Sequence, residues 1–138
     1  MTSPLDRLVG VSLEVELADE KEFAGLKRSG LARLNDATNA ANSLEGRFDL
    51  AYNAAHALCL AALRYRGFRP HNRYIVFQVL PDTLGLGPEV WRVLAKCHAL
   101  RNSREYEGQS NVDERIVADL IVVCQAVAAK IKALPPLA

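Results

Sequence analysis

The stretch from Arg47 to Tyr65 constrains the fold most, because it is apolar on most sides of the helix that its spacing predicts. A helix that is hydrophobic all round is normally buried by other helices. Its apolar and small positions are Ala51, Ala54, Ala55, Ala57, Leu58, Ala61, Ala62 and Leu63. Because alanine dominates, neighbouring helices can approach closely, and Gly67 is placed to end the helix. The sequence therefore predicts a central helix inside an all-α protein.

An amphipathic helix is predicted ahead of the central one, from Glu20 to Asn42. Apolar or small residues recur there at steps of three or four, which places them on one face of a helix. Asp19 precedes this pattern and is suited to cap the helix. The segment Leu44-Glu45-Gly46 is then predicted to be a short connection into the central helix.

Two further helices are predicted after the central one. Pro88 suits the first position of a helix, because the N–H that proline lacks would have no partner there. A last helix is predicted to begin near residue 110 or 111, where Asn111 and Glu114 have the spacing of a capping box. It is predicted to stop at Pro135-Pro136. The expected architecture is an up-and-down bundle of four to five helices.

Two segments do not fit long helices. Tyr74 to Leu80 is rich in β-branched and aromatic residues, which favours a strand, but the flanking helices favour a short helix. Val11 to Leu17 alternates apolar and polar residues with the period of a half-buried strand. This second segment is left open as an extended arm, a dimer edge or a helix. We therefore assign residues 20–134 to the bundle and residues 1–19 to an N-terminal arm.

The composition limits the classes of protein to which the chain can belong. Its 138 residues, half of them apolar, fit one globular domain. The formal net charge of +1 predicts no strong overall field, so tight binding to duplex DNA through a broad basic face is not expected. Cys59, Cys97 and Cys124 are widely spaced in apolar patterns, which indicates buried thiols in a reducing compartment. Without metal-ligand spacing, a secretory signal or a membrane span, we expect a cytoplasmic protein with no metal and no cofactor.

The three histidines are the candidates for proton transfer near neutral pH. His56 lies in the middle of the central helix, where a core histidine bonded to a neighbour is the expected role. His71 follows Pro70 in a loop or first turn, where capping and surface roles compete with function. His98 lies one turn before Arg101 and is a candidate for a functional role.

The most unusual polar cluster is the run Arg101-Asn102-Ser103-Arg104-Glu105-Tyr106-Glu107-Gly108. On a continuing helix Arg101, Arg104 and Glu105 project on adjacent turns, with Asn102 and Tyr106 beside them. Arginine can hold a phosphate through two parallel bonds, and amide and phenol groups can orient the oxygens around it. Spacing alone favours the alternative, a solvated helix end with intrahelical Arg–Glu pairs.

The order of elements resembles that of the HEPN domains. The shared features are an alanine-rich second helix, a loop with Arg69-Pro70-His71, a short apolar segment and a helix ending in Arg-Asn-x-x-x-Tyr, here residues 101–106. The likeness covers residues 20–134 in element order and is greatest to the small bacterial branch of the family. It implies an up-and-down helical bundle, usually a homodimer in which two motifs face a shared cleft.

The resemblance also implies roles for single residues. Some HEPN proteins are metal-independent ribonucleases of toxin–antitoxin modules, and Arg101 corresponds to their motif arginine, with Asn102 as the polar residue beside it. Tyr106 stands where active members carry a histidine, and an unperturbed tyrosine, with a pKa of about 10, is a poor base at neutral pH. The resemblance therefore supports a phosphate-contacting site more than it supports catalysis. The candidate catalytic residues are Arg101, Asn102 and Tyr106, and the candidate RNA- or nucleotide-binding residues are Arg101, Arg104, His98 and His71.

Two other functions fit the same sequence. In one, which the resemblance also implies, the chain is a non-catalytic partner or regulatory subunit of a minimal nucleotidyltransferase. In the other, the cluster at Arg101 only caps and crosslinks helices of a structural bundle. Binding of RNA or a nucleotide that depends on Arg101 would separate the leading hypothesis from both.

Overall fold

A computed structural model describes residues 3–107 and 112–137, with the side chains of residues 104–107 outside the description. In chain order the elements are a 3-10 turn at Asp6–Leu8, strand β1 (Leu13–Val15), helices α1 (Glu20–Ala37) and α2 (Leu44–Tyr65), strand β2 (Phe68–Pro70), the short helices α3 (Ile75–Gln78) and α4 (Leu80–Thr83), and helices α5 (Pro88–Glu107) and α6 (Glu114–Lys132). The described chain is thus mostly helical, and the prediction of an all-α bundle is confirmed at that level.

Helix α2 is the central element, in contact with α1, α5 and α6 and with both short helices. Its alanine-rich faces are buried as predicted. Its start differs from the prediction, because the Ser43 hydroxyl accepts a hydrogen bond from the backbone N–H of Gly46 at 3.0 Å. Leu44 to Gly46 therefore form the first helical turn, and the connection predicted there is wrong. Gly67 follows the helix with φ of +89°, which confirms the predicted end.

Side chains fix both ends of α1. Asp19 accepts a hydrogen bond from the backbone N–H of Lys21 at 3.1 Å, which confirms the predicted cap. The helix ends at Ala37 rather than at Asn42. The side chains of Thr38 and Asn42 bond to carbonyl oxygens of its last residues, at 2.6 and 3.1 Å. Such local side-chain bonds compete with a continuing helix, which explains the earlier end.

Helix α5 begins with a proline, whereas helix α6 begins after a capping aspartate. Helix α5 begins at Pro88, as predicted. Helix α6 begins at Glu114, because the Asp113 carboxylate accepts a hydrogen bond from the backbone N–H of Ile116 at 2.8 Å. The predicted start near residue 110 or 111 is therefore too early, and the proposed cap Asn111 lies outside the described residues.

The two ambiguous segments adopt different conformations. The apolar run after Arg73 forms α3 and α4, so the prediction of a helix over a strand is confirmed. In the N-terminal arm β1 pairs antiparallel with β2, with Leu13 opposite Pro70. Leu13 is fully buried, whereas Val15 and Leu17 are 66% and 88% exposed. Of the alternatives left open for this segment, the structure therefore shows an extended arm paired within the chain, and the alternation did not predict which side chains are buried.

Arg64 fastens this arm to the bundle. Its side chain is almost fully buried, and its guanidinium donates to the backbone carbonyl oxygens of Glu16 and Leu17 at 2.8 and 2.7 Å. It also forms an ion pair with Glu22 of α1. Burying an arginine is unfavourable unless its N–H groups have acceptors. The carbonyl oxygens of the arm supply these acceptors, so Arg64 stabilises the arm in this position.

The three cysteines are buried and free, as predicted. Burial raises the pKa of Cys97 and of Cys124 to about 12. Both thiols are therefore protonated at neutral pH and pack as small apolar groups of the core.

Candidate functional site

Polar and aromatic side chains from three segments meet around His98, on the face of α5 that packs toward α2 and α3. Tyr52 comes from α2, Arg73 and Tyr74 come from the segment before α3, and His98, Arg101 and Asn102 come from α5. We call these six residues the His98 cluster. Spacings of three and four residues place the α5 members on one side of that helix.

Three side chains contact the imidazole of His98. Its Nδ1 atom lies 2.8 Å from the hydroxyl oxygen of Tyr52, and its Nε2 atom lies 3.3 Å from the amide nitrogen of Asn102. The ring of Tyr74 stacks on it at a centroid distance of 4.7 Å and an interplanar angle of 9°. The contacts with Tyr52 and Tyr74 fix the position and the rotation of the ring, as a binding group requires, and the Asn102 amide lies beside Nε2.

Two guanidinium groups flank the same tyrosine. The Cζ atoms of Arg73 and Arg101 lie 5.6 and 5.2 Å from the centroid of the Tyr52 ring. Arg73 also donates a hydrogen bond to the side-chain oxygen of Asn53 at 2.9 Å. Among the described residues, no carboxylate forms an ion pair with Arg73. Its charge is therefore held by neutral groups and by an aromatic face.

The electrostatics of the cluster are set by burial and by these arginines. Burial, Arg101 and Arg73 lower the pKa of His98. Burial, Arg73 and Arg101 also lower the pKa of the nearby His56, to about 4. Burial raises the pKa of Tyr52, although Arg73 acts in the opposite direction. At neutral pH both histidines are uncharged and the tyrosine is protonated, so the positive charge here belongs to the arginines.

The structure brings some of the predicted site residues together and separates others. His98, Arg101 and Asn102 share the cluster. His71 does not belong to it, since its backbone N–H donates to Ser12 at 2.9 Å and its ring lies 3.8 Å from a Glu14 carboxylate oxygen, beside β1. For the two others, Arg104 and Tyr106, the backbone belongs to α5 and the side chains lie outside the described residues.

Sequence reasoning missed three members of the cluster, Tyr52, Arg73 and Tyr74. A signal for Tyr52 was present, because it lies four residues before His56 on a helix otherwise rich in alanine. At a spacing of four residues, the polar aromatic side chains of Tyr52 and His56 lie on the same face of the helix. No comparable signal marks Arg73 and Tyr74, because only the tertiary packing of their segment against α5 brings them to His98. His56 itself, expected to be a bonded core histidine, is half-buried with its ring edge-on to Phe77.

Two grooves lie elsewhere on the described surface. A groove of about 360 Å³ lies between α1 and α6, lined by Leu31, Leu34 and small or polar side chains. A second groove of about 280 Å³ lies between α5 and α6, lined by Lys96, Arg115 and the carboxylates of Asp113 and Asp119. Within residues 3–107 and 112–137, no three His, Cys, Asp or Glu side chains are grouped to hold a metal ion.

Comparison with protein-family models, with curated proteins and with solved structures finds no match to the chain. In the described part of the chain, no helix has the length and apolar character that crossing a bilayer requires.

Proposed function

We propose that the chain is a HEPN-like protein that binds the phosphate of RNA or of a nucleotide at the His98 cluster. The observation that carries this proposal is the pair of guanidinium groups, of Arg73 and Arg101, beside the Tyr52 ring, whose hydroxyl lies against the imidazole of His98. Among the described residues, the charges that lower the pKa of His98, after burial, are those of Arg101 and Arg73. A site with a positive field and fixed donors favours a bound anion.

The groups around the arginines include donors for phosphate oxygens and an aromatic ring. The amide of Asn102 and the imidazole of His98 can donate to phosphate oxygens, and Arg73 and Arg101 can hold the charge. Tyr74 is partly exposed, and its ring stacks on His98. Aromatic rings beside basic side chains are typical of proteins that bind single-stranded RNA, where unpaired bases stack on them.

The first test measures binding of a short, fluorescein-labelled single-stranded RNA of mixed sequence by fluorescence anisotropy, in the presence of a chelator. We expect Arg73→Gln and Arg101→Gln each to weaken binding roughly tenfold, because each loses a charge-assisted contact of about 1.5 kcal/mol. Arg33→Gln is the matched control, since it removes the same charge from an exposed position of α1. Circular dichroism would establish that all three variants remain folded.

The control separates a specific site from general attraction. Equal weakening in all three variants would mean that only the net charge matters, and no weakening in any would reject the cluster as the site. Competition by AMP and by inorganic phosphate then distinguishes a nucleotide ligand from an RNA one. Gel analysis of the same mixtures reports whether the RNA is cleaved, and if so whether Arg101 is needed.

A further inference from the structure

The hydroxyl group of Tyr52 is fully buried at the base of the His98 cluster. Its oxygen lies 2.8 Å from Nδ1 of His98. Within the described residues this ring nitrogen is the acceptor that the hydroxyl proton can reach. The other polar neighbours, Arg73 and Arg101, carry only donors and cannot accept a proton bond.

A buried hydroxyl proton without an acceptor is unfavourable, so Tyr52 must donate to Nδ1. An imidazole nitrogen that accepts a hydrogen bond carries no proton. The neutral ring of His98 must then carry its proton on Nε2, on the side that faces Asn102.

This assignment places two donors next to each other. The amide nitrogen of Asn102 lies 3.3 Å from Nε2. Two N–H groups cannot bond to each other, but both can donate to one oxygen of a bound anion. A half-turn of the Asn102 amide brings its own oxygen to Nε2–H instead, so the same two residues are satisfied with or without a ligand.

We infer that Tyr52 is a positioning residue that holds His98 as the Nε2–H tautomer, so that His98 binds a phosphate oxygen as a neutral donor together with Asn102. The ligand in this inference rests on the proposed function, whereas the tautomer does not. One consequence concerns RNA cleavage: with Nδ1 bonded to Tyr52 and Nε2 protonated, neutral His98 has no free lone pair to accept a proton from a ribose hydroxyl.

Among the described residues, the polar groups that face His98 come from three segments. Tyr52 and His56 face it from α2, Arg73 and Tyr74 from the segment before α3, and Arg101 and Asn102 from its own helix. None of these side chains is a carboxylate. Adding a proton to His98 would remove the acceptor of Tyr52 and add a third cation, so this environment opposes the charged ring.

Nuclear magnetic resonance of protein with ¹⁵N-labelled histidine tests the tautomer without any ligand. In the wild type we expect the Nε2 resonance of His98 to show the bonded proton and the Nδ1 resonance to show none. In Tyr52→Phe we expect the pKa of His98 to rise, because a donor to its neutral form is lost. Tyr65→Phe is the matched control, since it removes a hydroxyl bonded to the Pro135 carbonyl at 2.9 Å, outside the cluster.

The outcomes separate the inference from the proposed function. A proton on Nδ1 in the wild type, or the same pKa of His98 in Tyr52→Phe and Tyr65→Phe, would overturn the role of Tyr52. In the anisotropy assay Tyr52→Phe should weaken RNA binding severalfold, by about the worth of one neutral hydrogen bond, and Tyr65→Phe should not. If the resonances agree with the inference and the wild type binds neither RNA nor phosphate, the positioning role stands and the proposed function fails.

Discussion

At the scale of residues, burial in the bundle keeps the imidazoles of His56 and His98 uncharged at neutral pH. His56 lies on α2 with its ring edge-on to Phe77, and burial, Arg73 and Arg101 lower its pKa to about 4. The same causes lower the pKa of His98. In the unfolded chain both rings would titrate near 6.5. Between pH 4 and 6.5 the unfolded state therefore binds more protons than the folded state, and the free energy of unfolding rises with pH across that range.

Replacing His56 by glutamine tests this linkage. Between pH 7 and pH 5 we expect the wild type to lose roughly 1 to 2 kcal/mol more of its free energy of unfolding than His56→Gln, because glutamine does not titrate. Urea unfolding followed by circular dichroism at several pH values measures the difference. The pKa of Glu16 is lowered chiefly by its hydrogen bond with Arg69, and that of Glu22 is lowered, against the effect of burial, by hydrogen bonds with Arg69 and Arg64, so both carboxylates contribute at more acid pH. Parallel pH profiles for the two proteins would show that His56 is not the titrating group.

The part of the cluster that could be predicted from sequence is the part that lies on one helix. His98, Arg101 and Asn102 follow each other at steps of three and four, so their proximity is a local property. Tyr52 is separated from His98 by 46 residues, and its hydrogen bond exists only because α2 packs on α5. Periodicity says which face of a helix is polar, but not which other helix supplies the partner.

At the scale of elements, α1 and α2 pack closely where Gly30 faces Leu58. A methyl group on Gly30 would lie 2.7 Å from Cγ of Leu58 and 3.3 Å from the carbonyl oxygen of Ala54. Leu58 is fully buried and has no room to move aside. Gly25 lies five residues earlier on the same helix. A methyl group there would meet only the end of the Arg28 side chain, at 3.9 Å.

These two glycines form a matched pair for mutation. Alanine favours a helix over glycine by about 1 kcal/mol, so Gly25→Ala should raise the free energy of unfolding by up to that amount. Gly30→Ala gains the same preference but overpacks the interface, and we expect a net loss of about 1 to 2 kcal/mol. Thermal unfolding of both variants measures the contrast. A stabilised Gly30→Ala would mean that α1 and α2 are less closely packed at Gly30 than these distances indicate.

The elements that sequence patterns predicted well are those with a period of their own. The spacing of apolar residues gave α1 and α2, and Pro88 gave the start of α5. The errors lie at helix ends, as at Leu44. A serine hydroxyl accepts a backbone N–H both in a turn and at the start of a helix, so the serine in the sequence does not distinguish the two. The strand at Leu13 could not be paired in advance, because its partner is only three residues long and contains Pro70.

At the scale of the whole molecule, α2 links two polar centres on different parts of its length. Near its end, Arg64 holds the N-terminal arm and pairs with Glu22. Nearer its middle, Tyr52 holds His98. Both centres use a buried side chain of the central helix to fix groups that are distant in sequence. The His98 cluster is therefore a property of the folded bundle, since no single segment of the chain contains its arginines, its tyrosines and its imidazole together.

The measurement that tests the central claim most directly is a titration of ¹⁵N-labelled protein with single-stranded RNA, followed by two-dimensional ¹H–¹⁵N spectra. Binding at the His98 cluster predicts that the largest shifts fall on Arg73, Tyr74, His98 and Asn102, and that Arg73→Gln greatly reduces them. Shifts confined to the groove of Leu31 and Gln125, or no shifts at all, would contradict the claim that this cluster is the binding site.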